Sequence, residues 1–403
     1  MFDKMRILKI FIILLLILFP FGEIFRFDAG NNISIKPLDI ISIGLLLWTT
    51  FLYVKNKKFR KSLKGYYFFF PIVGVISLLI NSYWLSPHNL FTSFLYCLRW
   101  VSYMSVFFAI IQLDESFKKR ITKFLIADGL LILFIGYVQF FLYPNLRNLY
   151  YLGWDEHLYR MFSSFLDPNF VGTFFVLYLV FIAGLLFFKT KTLTKKMVIF
   201  YTAVIIVTLI AAFLTYSRSA LVMLLVSGIT FFLLLQKRKF ILYLIGAMVI
   251  FIIVISPYFY IENINLLRIN SSLSRFQSAQ HALDVIQSDP VIGVGFDSYR
   301  YAQIRLHLIN PDSKFPSHSA SGDDTSLLFV FATTGIIGLF AYCFLWFKLL
   351  KEAKEKYKKN SFALIFIASG AGLFINSLFI NSLFYPEIMF WIWMIAGLMY
   401  IKE

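Results

Sequence analysis

Charge is scarce in this sequence. Only 15% of its 403 residues are Asp, Glu, Lys or Arg, against roughly 25% in an ordinary soluble domain, and 60% are hydrophobic. No water-soluble core needs that much apolar mass, so a soluble enzyme is excluded. Cysteine is nearly absent. Cys97 and Cys343 both fall inside apolar runs, which excludes a disulfide framework and a thiolate metal site. Short alternating segments of the kind that build a β-barrel are missing. So is a Walker-type phosphate loop. No inverted repeat relates the two halves, which speaks against a secondary transporter. Low-complexity linkers are absent too. The first apolar run, Ile7 to Phe21, is followed by Gly22-Glu23 and not by a small-residue cleavage site. It reads as a retained first helix.

What is present is a series of apolar runs of about 17–25 residues, the length of a helix that spans a bilayer. The expected fold is an all-α integral membrane protein with about twelve transmembrane helices. These are predicted at 7–22, 38–54, 65–81, 90–112, 121–142, 170–188, 197–214, 219–235, 240–256, 325–347, 361–380 and 386–401. The organisation is one integrated membrane domain. Residues 1–256 carry nine helices, 257–324 form a large extracytoplasmic loop, and 325–403 carry the last three.

The net charge of +17 sets orientation. The N-terminus, 55–64, 113–123, 189–196, 236–239, 348–360 and the C-terminus hold more than two thirds of the 38 Lys and Arg residues. By the positive-inside rule this side is cytoplasmic, with both termini inside. Lys36 and Lys314 are the only other lysines. All five histidines (His88, His157, His281, His307 and His318) lie in outward segments. Acid–base chemistry is therefore expected on the outer face.

Within the large outer loop, Ser271 to Ser288 reads as an amphipathic helix, with Phe276, Ala279, Leu283 and Ile286 on one stripe. Arg275 stands at the edge of that stripe, at the expected protein–lipid boundary. Gly293-Val-Gly295 predicts a tight turn that lets backbone approach a ligand. Arg218 sits in a very short outward turn, Thr215 to Ser219. An arginine is costly at membrane depth, so Arg218 is a functional candidate, with an interfacial anchor as the plainer reading. Arg99, mid-span, must face the bundle interior. It is either half of a structural ion pair, with Asp128 as the partner considered, or a substrate contact. Asp39 reads as a helix cap before it reads as a catalyst.

Outward arginines with little lysine suit phosphate, because guanidinium forks bind its oxygens bidentately. Arg218, Arg275 and Arg300 would together hold a diphosphate. His318 has no second His or Cys at ligand spacing and is not read as a metal ligand. It is a general-base candidate near neutral pH, or an ordinary surface histidine. Asp323 and Asp324 either orient that imidazole, bind a sugar, or cap the helix that follows.

Several stretches together resemble the O-antigen ligase and O-antigen polymerase superfamily of bacterial membrane proteins. They are PFGEIFRF with IKPLDI, the third outer loop from Gly136 to Gly172, TYSRSALVMLL, SRFQSAQHALDVIQSDPVIGVGFDSYR, and SHSASGDDTSLLFVFATTGIIGLF. In that family the last stretch usually reads His-Asn. Here His318 is followed by Ser319, and six residues separate His318 from the helix. The resemblance implies a GT-C-like membrane glycosyltransferase that needs neither metal nor other cofactor. It would sit in the bacterial cytoplasmic (inner) membrane with its active site outward. The donor would be a glycan on undecaprenyl diphosphate. A ligase passes it to a lipid-A core sugar, and a polymerase to another lipid-linked repeat unit. His318 would take the acceptor proton. Arg218, Arg275 and Arg300 would stabilise the leaving diphosphate, with Arg99, Asp323 and Asp324 in support. A lipid-linked oligosaccharide flippase and a non-catalytic scaffold are the competing readings. No nucleic-acid partner is implied.

Overall fold

The structure is a computed structural model that describes residues 2–28, 30, 33–152, 154–188, 193–258, 261, 264–267, 270–310 and 323–401. Helices dominate, because a bilayer leaves backbone polar groups no partner but one another. Nine helices among the described residues are long and apolar enough to cross a membrane. Three shorter apolar helices, Arg218–Leu234, Ser361–Asn376 and Pro386–Leu398, coincide with the remaining expected spans. The one small sheet pairs Phe27–Asp28 (β1) with Ser34–Ile35 (β2), antiparallel, just before the second helix.

The helices are α1 Phe2–Leu18, α2 Pro37–Lys55, α3 Lys57–Ser62, α4 Phe69–Ile80, α5 Pro87–Gln112, α6 Glu115–Leu142, α7 Pro168–Phe188 and α8 Lys195–Leu214. They continue as α9 Arg218–Leu234, α10 Lys239–Ile255, α11 Asn270–Ser288, α12 Tyr299–Arg305, α13 Ser326–Lys356, α14 Ser361–Asn376 and α15 Pro386–Leu398. Local signals set their starts. Ser86, Asp114, Thr194, Ser217 and Asn360 each accept a backbone N–H from the first turn of the helix that follows. Proline opens α2, α5 and α15, where its missing N–H costs nothing.

Burial ranks the helices. α7 is the central one, with 83% of its apolar window buried, whereas α10 has 6% and lies at the periphery. Trp391 of α15 anchors the core. Its ring meets Phe174 and Phe181 of α7 edge-on at 5.1 and 5.4 Å, and stacks at 6.0 Å on Phe19. At the lysine-rich end, Glu352 of α13 accepts hydrogen bonds from Lys64, Tyr66 and Tyr400 and ties that end together.

α11 forms where the sequence predicts, but a different face docks. Ala282, Val285 and Ile286 are buried against Val294, Tyr299 and Phe329. Phe276 and Leu283 of the expected stripe stay exposed. Ile286 is shared by the expected stripe and the docked face, which is turned toward the smaller Ala282 and Val285 and packs on α13.

The segment after α11 is built into α13. Gly335 interrupts the α13 ladder at φ +65°, ψ −171°, a region open in practice only to glycine. The interruption is filled by exchange. The N–H groups of Val294 and Gly295 donate to the carbonyls of Ala332 and Thr333, at 3.0 and 3.1 Å. The N–H of Ile336 donates to the Pro290 carbonyl at 2.9 Å. The close approach expected at the Gly293–Gly295 turn is therefore to the α13 backbone. A Cβ on Gly335 would lie 2.1 Å from the Val291 carbonyl oxygen. Gly335→Ala is expected to cost about 3 kcal/mol or more, from strain and overpacking together. A lower thermal unfolding midpoint in detergent checks this, and an unchanged midpoint would contradict the exchange.

Candidate active site

The end of the bundle opposite the lysine-rich loops holds a cavity of about 460 Å³. Its walls come from the segment between α1 and α2, the first half of α5, residues 154–170, α11, the 296–301 segment, Asp323–Asp324 and the start of α15. Polar and aromatic residues share those walls. The charges within it form two groups.

The first group centres on Arg275. Its guanidinium interacts electrostatically with Asp324 and Asp167. Arg218, the first residue of α9, is close enough to Arg275 for the two cations to repel. The turn before Arg218 is fixed from below. Arg160 is buried, donating to the Thr215 carbonyl at 2.8 Å and to Asn169 Oδ1 at 3.2 Å. The Ser217 hydroxyl donates to the same Asn169 oxygen at 3.0 Å. Asp167 caps α7 by accepting the N–H groups of Asn169 and Phe170. His157 Nε2 lies 3.9 Å from Asp167 Oδ2. Burial lifts the Asp167 carboxyl above its usual range, against the pull of Arg160 and Arg275. Burial likewise pushes Asp324 up to about 6, with Arg275 opposing.

Asp323 joins two helices. Its carboxylate accepts the Thr325 N–H at 2.6 Å at the start of α13 and the Ser278 hydroxyl of α11 at 3.0 Å. Burial raises it also. Both aspartates line the cavity.

The second group surrounds Asp297. Arg99 is not paired with Asp128 as considered from the sequence. It donates to Asp39 Oδ2 at 2.8 Å and to the Ser34 carbonyl at 2.7 Å, and lies over the Tyr96 ring at 4.8 Å. α5 packs on α2, which carries Asp39. Asp128 is on α6 and acts on Tyr178 of α7. Asp39 does cap α2, accepting the Lys36 N–H at 3.0 Å. Burial drives the Asp297 carboxyl well above its usual range, with Arg99 opposing.

Of the residues singled out from the sequence, Arg99, Arg275, Arg300, Asp323 and Asp324 line one cavity. Arg218 stands beside Arg275, behind that wall. Arg275 faces the cavity carboxylates and not the lipid boundary, because the docked face of α11 turns it inward. His318 lies outside the described residues. Of the histidines expected to carry acid–base chemistry, His157 lies on the cavity wall, together with Arg26, Asp167 and Asp297, which the sequence does not single out. Asp167-Pro168-Asn169 is a legible helix start and was the available signal. Asp297 had none beyond its place after the glycine turn.

The raised carboxyls Asp167, Asp297, Asp323 and Asp324 share one sign. Each holds its proton in the folded protein at pH values where the unfolded chain, titrating near about 3.9, has released it. Their contribution to stability is therefore full below that value and declines as pH rises, through about 6 for Asp324. The unfolding midpoint in detergent should fall between about pH 4 and about pH 6, and Asp324→Asn should flatten the decline. An unchanged slope in that variant would contradict the burial of this carboxyl.

Residues 203–343 match the family model described as O-Antigen ligase. The matched stretch runs from within α8 to within α13 and contains Arg218, Arg275, Arg300, Asp323 and Asp324. No curated protein matches the chain. The family match bears out the resemblance to the O-antigen ligase and polymerase superfamily of bacterial membrane proteins, and it indicates a function of the ligase or polymerase kind.

Proposed function

We propose that this protein transfers a glycan from undecaprenyl diphosphate to a saccharide acceptor at the outer face of the cytoplasmic membrane. The observation that carries the reading is Arg275 on the wall of a polar cavity with Arg218 beside it. Two guanidinium groups held near one another favour a multiply charged anion beside both, and a diphosphate suits their forked donors. The family match spans both residues.

The acceptor hydroxyl attacks the anomeric carbon of the donor, and the bond from that carbon to the diphosphate oxygen breaks. His318 takes the hydroxyl proton. The leaving diphosphate gathers charge as it departs, and Arg218 and Arg275 stabilise it, with Arg300 in the same cavity. Asp324 and Asp167 keep Arg275 in place. A single displacement inverts the anomeric configuration. Arginine carries the charge that a divalent cation would otherwise meet, so the reading includes no metal. Both termini are cytoplasmic, following the lysine distribution. The acceptor is either a lipid-A core sugar or another lipid-linked repeat unit.

Arg218→Ala and Arg275→Ala should each lower transfer by about 10²–10³-fold while the protein still inserts in the membrane. His318→Ala should abolish it, and wild-type activity in that variant would sink the base assignment. Chelator should leave the rate unchanged. Mass spectrometry of lipid-linked glycans from a deletion strain separates the remaining alternatives. Single repeat units without long chains mean a polymerase. Long chains retained on the lipid mean a ligase. Lipid-linked sugar left on the cytoplasmic face means a flippase, and an unchanged profile means a scaffold.

A further inference from the structure

We propose that the part of the cavity formed by Tyr96, Asp297 and Tyr301 is the subsite for the acceptor saccharide, and that the Asp297 carboxyl group exchanges hydrogen bonds with the acceptor's hydroxyls. The proposal rests on the transferase reading above and deepens it.

Asp297 is held in a conformation that side chains rarely adopt, with φ +56°. Such strain persists only where the surroundings over-determine it. Here they do. The preceding residues exchange hydrogen bonds with α13 across the Gly335 break. The Ser77 hydroxyl of α4 donates to the Ile292 carbonyl at 2.8 Å, and Asn81 Nδ2 to the Gly293 carbonyl at 2.8 Å. On the other side, Ser93 of α5 donates to the Asp297 carbonyl at 3.3 Å and shares a hydrogen bond with Ser298 at 3.0 Å. Three helices therefore fix the backbone from which this carboxyl enters the cavity.

Nothing in the fold uses the carboxyl itself. Among the described residues no hydrogen bond or ion pair reaches it, and its nearest cation, Arg99, is already held by Asp39 and the Ser34 carbonyl. A carboxyl group set rigidly on a cavity wall without a protein partner is suited to neutral hydroxyls, which both donate and accept and which a sugar presents along its edge. Tyr96 and Tyr301 line the wall with it and supply flat faces for the apolar side of a sugar ring. The charges that act on Asp297, Tyr96 and Tyr301 include Arg99, Arg26 and Arg300. Those that act on Arg275 are Asp324 and Asp167. The charged groups of the cavity thus act in two sets, one on Arg275 and one on Asp297 with its tyrosines, which suits a transfer between two substrates. With the diphosphate at Arg218 and Arg275, the second region falls to the acceptor.

The test uses purified full-length protein in detergent, labelled lipid-linked repeat unit as donor, and unlabelled repeat unit or lipid-A core as titrated acceptor. Three quantities are followed: acceptor KM, release of glycan to water without acceptor, and binding of undecaprenyl diphosphate alone. Asn tolerates positive φ, so Asp297→Asn keeps the backbone. The expected result is an acceptor KM raised about 10- to 100-fold, with water release and undecaprenyl diphosphate binding as in wild type. Tyr301→Leu should raise KM in the same direction. An unchanged acceptor KM in both variants overturns the subsite. A parallel fall in water release also overturns it, because the region would then hold the donor's own sugar. If the wild-type protein transfers glycan to neither acceptor, the transferase reading fails along with it.

Discussion

One buried ammonium holds together the end of this protein opposite the lysine-rich loops. Lys36 Nζ bonds Glu23, between α1 and α2, and, at 2.7 Å, Glu387 at the start of the last helix. All three side chains are almost fully buried. Burial works against the lysine's charge, and the pull of Glu23, Glu387 and Asp39 outweighs it, so its pKa is raised. Removing one partner from such a set strands a charge at a cost of about 3–5 kcal/mol. The arrangement closes the bundle by joining elements from opposite ends of the chain. It also forms part of the cavity wall, through Glu23 and Lys36. Asp39, bonded to the Lys36 N–H, carries the linkage onward to Arg99 and to Tyr103 of α5.

The break in α13 is the second fixed point. A helix deep in a membrane protein cannot leave carbonyls without donors. Gly335 creates vacancies in the ladder, and the 290–295 segment supplies the missing partners. A loop that would otherwise cross the bundle end as a mobile connection becomes part of the core. α11 precedes this loop and α12 follows it, so both inherit its position. Arg275 on α11 and Asp297 beyond the glycine turn are thus placed by the same backbone exchange, though they serve different regions of the cavity.

The sequence made the helices readable because their signal is long and uniform. Apolar runs, capping residues and a lysine-rich side leave little freedom in what the chain can form. The site was legible only in part. Arg218, Arg275 and Arg300 stood out because charge outside the lysine-rich segments is rare. The partner of Arg99 did not, since both Asp39 and Asp128 lie in apolar surroundings and only the packing of α5 on α2 decides between them. The docked face of α11 keeps only Ile286 of the expected stripe, because Ala282 and Val285 beside it meet Val294, Tyr299 and Phe329, partners that the periodicity of the helix alone does not reveal. Asp167 and Asp297 were hidden for a related reason. A helix cap and a residue after a glycine turn are ordinary in sequence, and only the convergence of distant segments turns them into cavity walls.

The cations of the cavity divide by what holds them. Lys36 and Arg99 have carboxylate partners within 3 Å, and Arg26 lies 3.8 Å from Glu23. These three are spent on the architecture. Arg275 and Arg300 form no ion pair within 4.0 Å among the described residues, yet Arg275 feels two carboxylates at longer range. That is the balance an anion site needs. A carboxylate in direct contact would compete with phosphate, and none at all would leave a guanidinium buried without compensation. The raised Asp324 adds to this balance. A carboxyl that titrates at about 6 can give up its charge near neutral pH when a more strongly charged phosphate arrives beside the same arginine. The acidic residues around Arg275 therefore do not argue against an anionic substrate. On the proposed reading they would hold the guanidinium in position while the cavity is empty and yield when the diphosphate fills it.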